Sequence, residues 1–246
     1  MMKNVKNKIT FVLVLLILMS VNTVSAKTNI IHKNSNGVIV SEKEYQFIND
    51  FYGEGYFNDM TMSEYDWIKD LNIDNSEVEI NRVEDSTIMP FATSYTQNGK
   101  KVTIAKSCSS NCIIIVNCKW TATPNVKSYD VIGARLSNTS LASDTITTKI
   151  TSSSGTEYST ELKQSSSGFG VSVKLPSSGT SISVEQKFTV SKSGTVYATY
   201  QHATSSISLA NSKLYTINSN GYGGVFQFYG NASGVYDQMN GVSISL

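Results

Sequence analysis

The run Gly168-Phe169-Gly170-Val171-Ser172-Val173-Lys174-Leu175 decides the fold class together with Ile182-Ser183-Val184-Glu185-Gln186-Lys187-Phe188-Thr189-Val190. Phe169, Val171, Val173 and Leu175 alternate with small or polar residues, and Ile182, Val184, Phe188 and Val190 do the same with Gln186 as one polar interruption. A period of two sends successive side chains to opposite faces, the pattern of strands with one buried face. Between the runs lies Pro176-Ser177-Ser178-Gly179-Thr180-Ser181, rich in turn formers, so a hairpin is predicted over Gly168–Val190.

The same rhythm extends in both directions. Val102 and Ile104 alternate, Ile113 to Val116 is a β-branched run, and Val131-Ile132-Gly133-Ala134 reads as a buried strand. Val196, Ala198 and Tyr200, then Val225, Phe226 and Phe228, then Val242 and Ile244, complete the set. Short strands separated by Ser/Gly turns predict an antiparallel β-sandwich-like body over residues 93–246. With 16 Gly and only 3 Pro, collagen-like and Pro-rich architectures are excluded.

Upstream of residue 93 the rhythm is helical. Glu44-Tyr45-Gln46-Phe47-Ile48-Asn49-Asp50-Phe51 and Glu64-Tyr65-Asp66-Trp67-Ile68-Lys69-Asp70-Leu71 share the pattern E-Y-x-aromatic-I-x-D-apolar. Ser41 and Thr61 each stand three residues before the glutamate, as in a capping box. Helices are predicted near 42–52 and 62–71, with Gly53 and Gly55 ending the first. Such short helices must pack on each other or on the body to persist in water. The stretch Asn72–Ser86 shows no clear period and reads as a linker. The fold class is therefore mainly β: an antiparallel β-sandwich-like domain preceded by a short two-helix acidic segment.

The N-terminus reads as a cleaved signal peptide. Lys3, Lys6 and Lys8 precede an apolar run from Ile9 to Met19, and Val24-Ser25-Ala26 gives a small-x-small cleavage site. That run is shorter than the roughly 20 residues a spanning helix needs. The expected organisation is a signal over 1–26, an acidic helical pro-segment or subdomain over 27–92, and the β body over 93–246. Candidate processing sites are Ala26 and, after Met89-Pro90-Phe91, Ala92. The overall charge of +1 hides a split, with −8 between Lys27 and Ala92 and +6 from Thr93 onward. Opposite charges of that size attract at short range, so docking of the acidic segment on the body is one expectation. Two independently solvated surfaces are the other.

Chemistry-bearing patterns are sparse. The 2 His, His32 and His202, cannot make a multi-His metal site in the body. H-E-x-x-H, G-x-S-x-G and P-loop patterns do not occur. Cys118, His202 and Asp130 or Asn125 can be written as a triad, but its geometry is not legible in the chain, and His202 reads as an exposed strand-end residue. No cofactor and no metal is expected. Cys108 and Cys112 flank a turn and are placed to form a disulfide between adjacent strands, with Cys118 a buried free thiol by strand parity; a pairing that involves Cys118, or a bond between two chains, is the alternative. Trp120, Tyr129, Tyr215, Tyr222, Phe226, Phe228, Tyr229 and Tyr236 suit sugar stacking, or more ordinarily core and cross-strand packing.

Two resemblances add to this reading. The Ser/Thr-rich alternating segment Ser143–Val190 resembles, in composition, the membrane-inserting regions of aerolysin-like β-pore-forming toxins. It makes Phe169, Val171, Val173, Leu175, Ile182, Val184 and Phe188 the candidate membrane or surface hairpin. The two E-Y-x-[FW]-I units, Ser128–Ala134 and Val235–Val242 resemble secreted proteins of Gram-positive bacteria, which implies export and carries no activity with it. The expectation is a secreted non-enzymatic binding or surface-interaction protein, made as a precursor with an acidic masking segment. A membrane-active β-pore-forming or antimicrobial protein is the alternative, and a secreted hydrolase with an unrecognised site the third. Expected partners are a cell-surface polymer, a protein or an anionic membrane. Basic residues are scattered along the body, so no nucleic acid is expected.

Overall fold

Two antiparallel sheets pack face to face, each covered on its outer side. The computed structural model describes residues 30–84, 99–219 and 224–246. A short ribbon of β1 (Ile31–Lys33) and β2 (Ile39–Ser41) leads into α1 (Glu42–Tyr52), α2 (Tyr56–Asp59) and α3 (Met62–Lys69). The strands that follow are β3 (Glu77–Glu84), β4 (Lys100–Cys108), β5 (Asn111–Trp120), β6 (Tyr129–Ser137), β7 (Thr147–Ser152), β8 (Gly155–Ser159), β9 (Leu162–Ser165), β10 (Gly168–Lys174), β11 (Ser183–Ser191) and β12 (Thr195–Gln201). A single turn of helix, α4 (Leu209–Ser212), precedes β13 (Tyr215–Ile217), β14 (Phe226–Phe228) and β15 (Val242–Ser245). One sheet has the order β3-β4-β5-β11-β7-β8 and the other β15-β12-β6-β10-β9. His32 to Leu246 is one compact unit.

The interior between the sheets is filled by the alternating side chains on which the sequence reading rested. Val102, Ile104, Ile114, Val116, Val184 and Phe188 face Ile132, Phe169, Val171, Val173, Val196 and Ala198 in one apolar cluster. The outer side of the six-stranded sheet carries the helices. Phe47, Ile48, Phe51, Trp67, Ile68 and Leu71 pack there with Ala105 and Ile115. The outer side of the five-stranded sheet carries a second cover, in which Tyr215, Ala203, Ile207 and Tyr236 gather on Val131. Gly133 and Gly170 sit opposite each other in the β6–β10 pair. A Cβ on Gly133 would come within 2.9 Å of the Phe226 ring, and one on Gly170 within 2.9 Å of both the Phe226 and Tyr215 rings, so only glycine lets this cover lie flat.

Both predicted helices form, and both capping boxes close. Ser41 Oγ accepts from the Glu44 N–H at 3.1 Å while Glu44 accepts from the Ser41 N–H at 2.9 Å. Thr61 and Glu64 repeat the exchange at 3.3 and 2.7 Å. The repeats then interlock. The Tyr65 hydroxyl of the second unit donates to Glu44 of the first at 2.9 Å, and Tyr56 donates to Glu64 at 2.9 Å. Burial, and then the bond to Glu44, pushes the Tyr65 hydroxyl up to about 12.

Two expectations are corrected by the sheets. The stretch read as a linker contains β3, which pairs with β4 in register from Glu77↔Cys108 to Glu84↔Lys101. Glutamates at alternate positions hid the period, and charge along an open edge is how sheets avoid pairing with other chains. The Gly168–Val190 hairpin does not exist. β10 pairs with β6 and β9, whereas β11 pairs with β5 and β7. A two-residue turn would have forced the two strands together. The interval between Lys174 and Ser183 instead crosses from one sheet to the other.

Candidate functional site

The residues singled out as a membrane or surface hairpin lie in the sandwich interior. Phe169, Val173, Leu175, Ile182, Val184 and Phe188 are fully buried and Val171 is nearly so. The Phe169 and Phe188 rings meet edge to face at 4.9 Å across the two sheets. Ala26 and Ala92 lie outside the described residues. Cys108 and Cys112 are register partners at the β4–β5 turn and form the disulfide, with Cα atoms 4.1 Å apart. Cys118 is a buried thiol outside that bond. The C-terminal aromatics Tyr215, Phe226, Phe228 and Tyr236 stack on one another at centroid distances of 4.0–6.0 Å. Their packing role therefore holds.

The acidic segment docks on the outer face of β4, β5 and β11, and so covers the 183–191 strand but not 168–174. Ser107 Oγ donates to the Leu71 carbonyl. Lys187 Nζ donates to the Trp67 carbonyl at 2.8 Å and to Asp70 at 3.0 Å. The Tyr52 hydroxyl donates to Glu185 Oε2 at 2.9 Å, and Lys149 Nζ stands 3.5 Å from Glu185 Oε1. Lys149 and Lys187 also lie 4.5 and 4.8 Å from the centre of the Trp67 ring. Burial raises the Glu185 carboxyl, against the opposing pull of Lys149 and Tyr52. Burial and Glu185 together push the Tyr52 hydroxyl well up.

A second polar cluster sits at one end of the sandwich, where β4, β5, β6 and β12 meet the segment before β15. Its centre is Asp130, which precedes the apolar run of β6. Asp130 accepts from the Ala203 N–H at 2.9 Å, lies 2.9 Å from His202 Nδ1 and accepts from the Tyr200 hydroxyl. Burial raises the Asp130 carboxyl above its ordinary range, opposed mainly by His202. The Trp120 ring packs edge-on to His202 at 4.6 Å, and its indole N–H points at the Tyr200 oxygen at 3.4 Å. Beside them Lys100 Nζ contacts Asp237 Oδ2, while Asp237 Oδ1 accepts from the His202 backbone N–H at 2.9 Å.

The expectation of an exposed His202 is thus corrected, since it is fully buried. The cause is tertiary: β12 ends beneath the C-terminal cover, where Asp130 waits on the neighbouring strand. Of the triad, the structure brings together Asp130 and His202. A nucleophile would have to face Nε2, and that nitrogen has no hydrogen-bond partner among the described residues. Sequence reasoning missed Lys100 and Asp237. The available signal was a charged residue at the border of an apolar run, as at Lys100-Lys101-Val102 and Tyr129-Asp130-Val131.

No family model matches the chain, and no curated protein does. Among solved structures, the chain is distantly similar to the full-length major pilin RrgB from Streptococcus pneumoniae, with a TM-score of 0.31 and 9% identity over 52% of this chain and 24% of that one. The pilus backbone RrgB from Streptococcus pneumoniae gives 0.30 and 10%, over 52% of this chain and 33% of that one. The chain therefore spans a quarter to a third of the length of the structures it matches. This likeness transfers no function.

Proposed function

We propose that this is a secreted, non-enzymatic surface-interaction protein whose contact surface lies along β8 and β9. The observation that supports this reading is a set of apolar side chains of the β body that reach solvent; Ile30, Ile31, Ile39 and Met62 are exposed as well, but in the N-terminal segment. Tyr158 on β8 is 63% exposed, Leu162 on β9 is 40% exposed, and Tyr229, 5.8 Å from Lys163 of β9, is 46% exposed. β8 and β9 are also the last strands of their sheets. Exposed rings, one of them beside Lys163, suit an anionic cell-surface polymer, which offers sugar faces and negative charge together. In this reading the acidic segment is a permanent cover of the six-stranded sheet, because it supplies an edge strand and the hydroxyl that satisfies Glu185.

The test is retention of the purified protein on an immobilised anionic cell-wall glycopolymer. Wild type should be retained, and the double variant Tyr158→Ser/Tyr229→Ser should lose at least tenfold in affinity with an unchanged circular dichroism spectrum. Equal retention of the two proteins would sink this assignment. The membrane-active alternative requires β10 and β11 to leave the interior. Leakage of dye from anionic liposomes would favour it over the surface-interaction reading.

A further inference from the structure

Lys100 and Asp237 are separated by 137 residues, yet their side chains are in direct contact and only 1% and 2% exposed. Lys100 opens β4, the first strand after the helical segment and β3; Asp237 lies just ahead of the last strand, β15. Trp120, the register partner of Lys100 on β5, holds its ring 5.5 Å from Nζ. Asp237 is anchored on both sides, its own N–H donating to the His202 carbonyl at 3.1 Å and its Oδ1 accepting from the His202 N–H at 2.9 Å. An amine and a carboxyl group are therefore held together, oriented, and shielded from water. Two full charges in such a place are costly to keep.

We propose that Lys100 and Asp237 are joined by an amide bond between Nζ and Cγ, formed by the folded protein itself. One proton passes from the ammonium to Oδ2, leaving a neutral amine against a neutral acid. The Nζ lone pair attacks Cγ, and the developing negative charge on Oδ1 is met by the His202 N–H already directed at it. Oδ2 then leaves as water, taking a second proton from Nζ. One C–N bond forms, one C–O bond breaks and one water is released, so the step needs no oxidant, reductant or other co-reactant. Fixed proximity replaces the encounter that makes such condensations slow in solution, and exclusion of water disfavours the reverse reaction. The product would tie the first strand of the body to its last.

The experiment is mass spectrometry of the denatured, reduced wild-type protein and of its tryptic digest. Lys100 carried in an amide is not cut by trypsin, so Val83–Lys101 should appear joined to Leu214–Leu246. Its mass should fall below the sum of the two peptides by about 18 Da, the mass of one water. Lys100→Met and Asp237→Ala should each abolish the joined species. Finding the two peptides unlinked in folded wild-type protein would overturn the proposal and leave the contact as a buried ion pair. Because the wild-type chain alone decides, a variant that fails to fold does not blur the result.

Discussion

Among the described residues two buried lysine–carboxylate pairs lie in this β body, and they differ in how closely the nitrogen approaches the carboxylate. In Lys149–Glu185 the nitrogen stands 3.5 Å from Oε1, the other oxygen is taken by the Tyr52 hydroxyl, and the ammonium also faces the Trp67 ring. Each group therefore has a second partner. In Lys100–Asp237 the carboxyl likewise accepts from a second donor, the His202 N–H, and the ammonium likewise faces a ring, that of Trp120, but here Nζ and Oδ2 are in direct contact. That direct contact is the geometry on which the proposed condensation rests. Burial, an added donor and a facing ring are common to both pairs, so what separates them is the approach of the nitrogen to the carboxyl, direct in one and 3.5 Å in the other.

The strongest way to break the comparison is to remove one lysine at a time. Lys100→Met leaves Asp237 buried without its partner and should cost about 3–5 kcal/mol in denaturant unfolding. Lys149→Met should cost distinctly less, because Lys149 Nζ stands 3.5 Å from Glu185 and is not in direct contact with it, and equal losses would refute the contrast between the two pairs. Next in size, Tyr52→Phe strands one Glu185 oxygen and should cost about 1–3 kcal/mol by the same measurement. Such a loss would also show that the acidic segment carries stability of the body.

A pH series sharpens the same contrast. Burial raises the Glu185 carboxyl, so the folded state holds that proton more tightly than the unfolded state. The stability this gives is fully present below the ordinary glutamate value of about 4.3 and is lost as pH rises through the raised folded value. The melting temperature of Glu185→Gln should therefore decline less than that of wild type between about pH 4 and 7. Parallel curves would contradict the assignment. The smallest effect belongs to the helix cap: Ser41→Ala should cost about 1 kcal/mol, read from thermal unfolding at neutral pH.

Legibility followed how local each determinant is. The two capping boxes lie within four residues, and both helices begin where Ser41 and Thr61 place them. The Cys108–Cys112 bond spans one turn and was readable for the same reason. The strand at 77–84 was missed because its alternation is carried by Val78 and Ile80 among glutamates. The hairpin was misassigned because alternation reports that a strand has a buried face, not which strand lies beside it. His202 was misplaced because what packs on it is remote in the chain on both sides: the Trp120 ring, Asp130 and Asp237.

Legible along the chain were a helical rhythm, then a β rhythm, and one disulfide across a turn. These depend on side-chain periods and caps, which act over a few residues. Long-range packing put β10 and β11 in opposite sheets, covered both sheets on their outer faces and brought Lys100 to Asp237. Those outcomes depend on which apolar faces bury one another across more than a hundred residues. No short-range pattern in the chain encodes that choice.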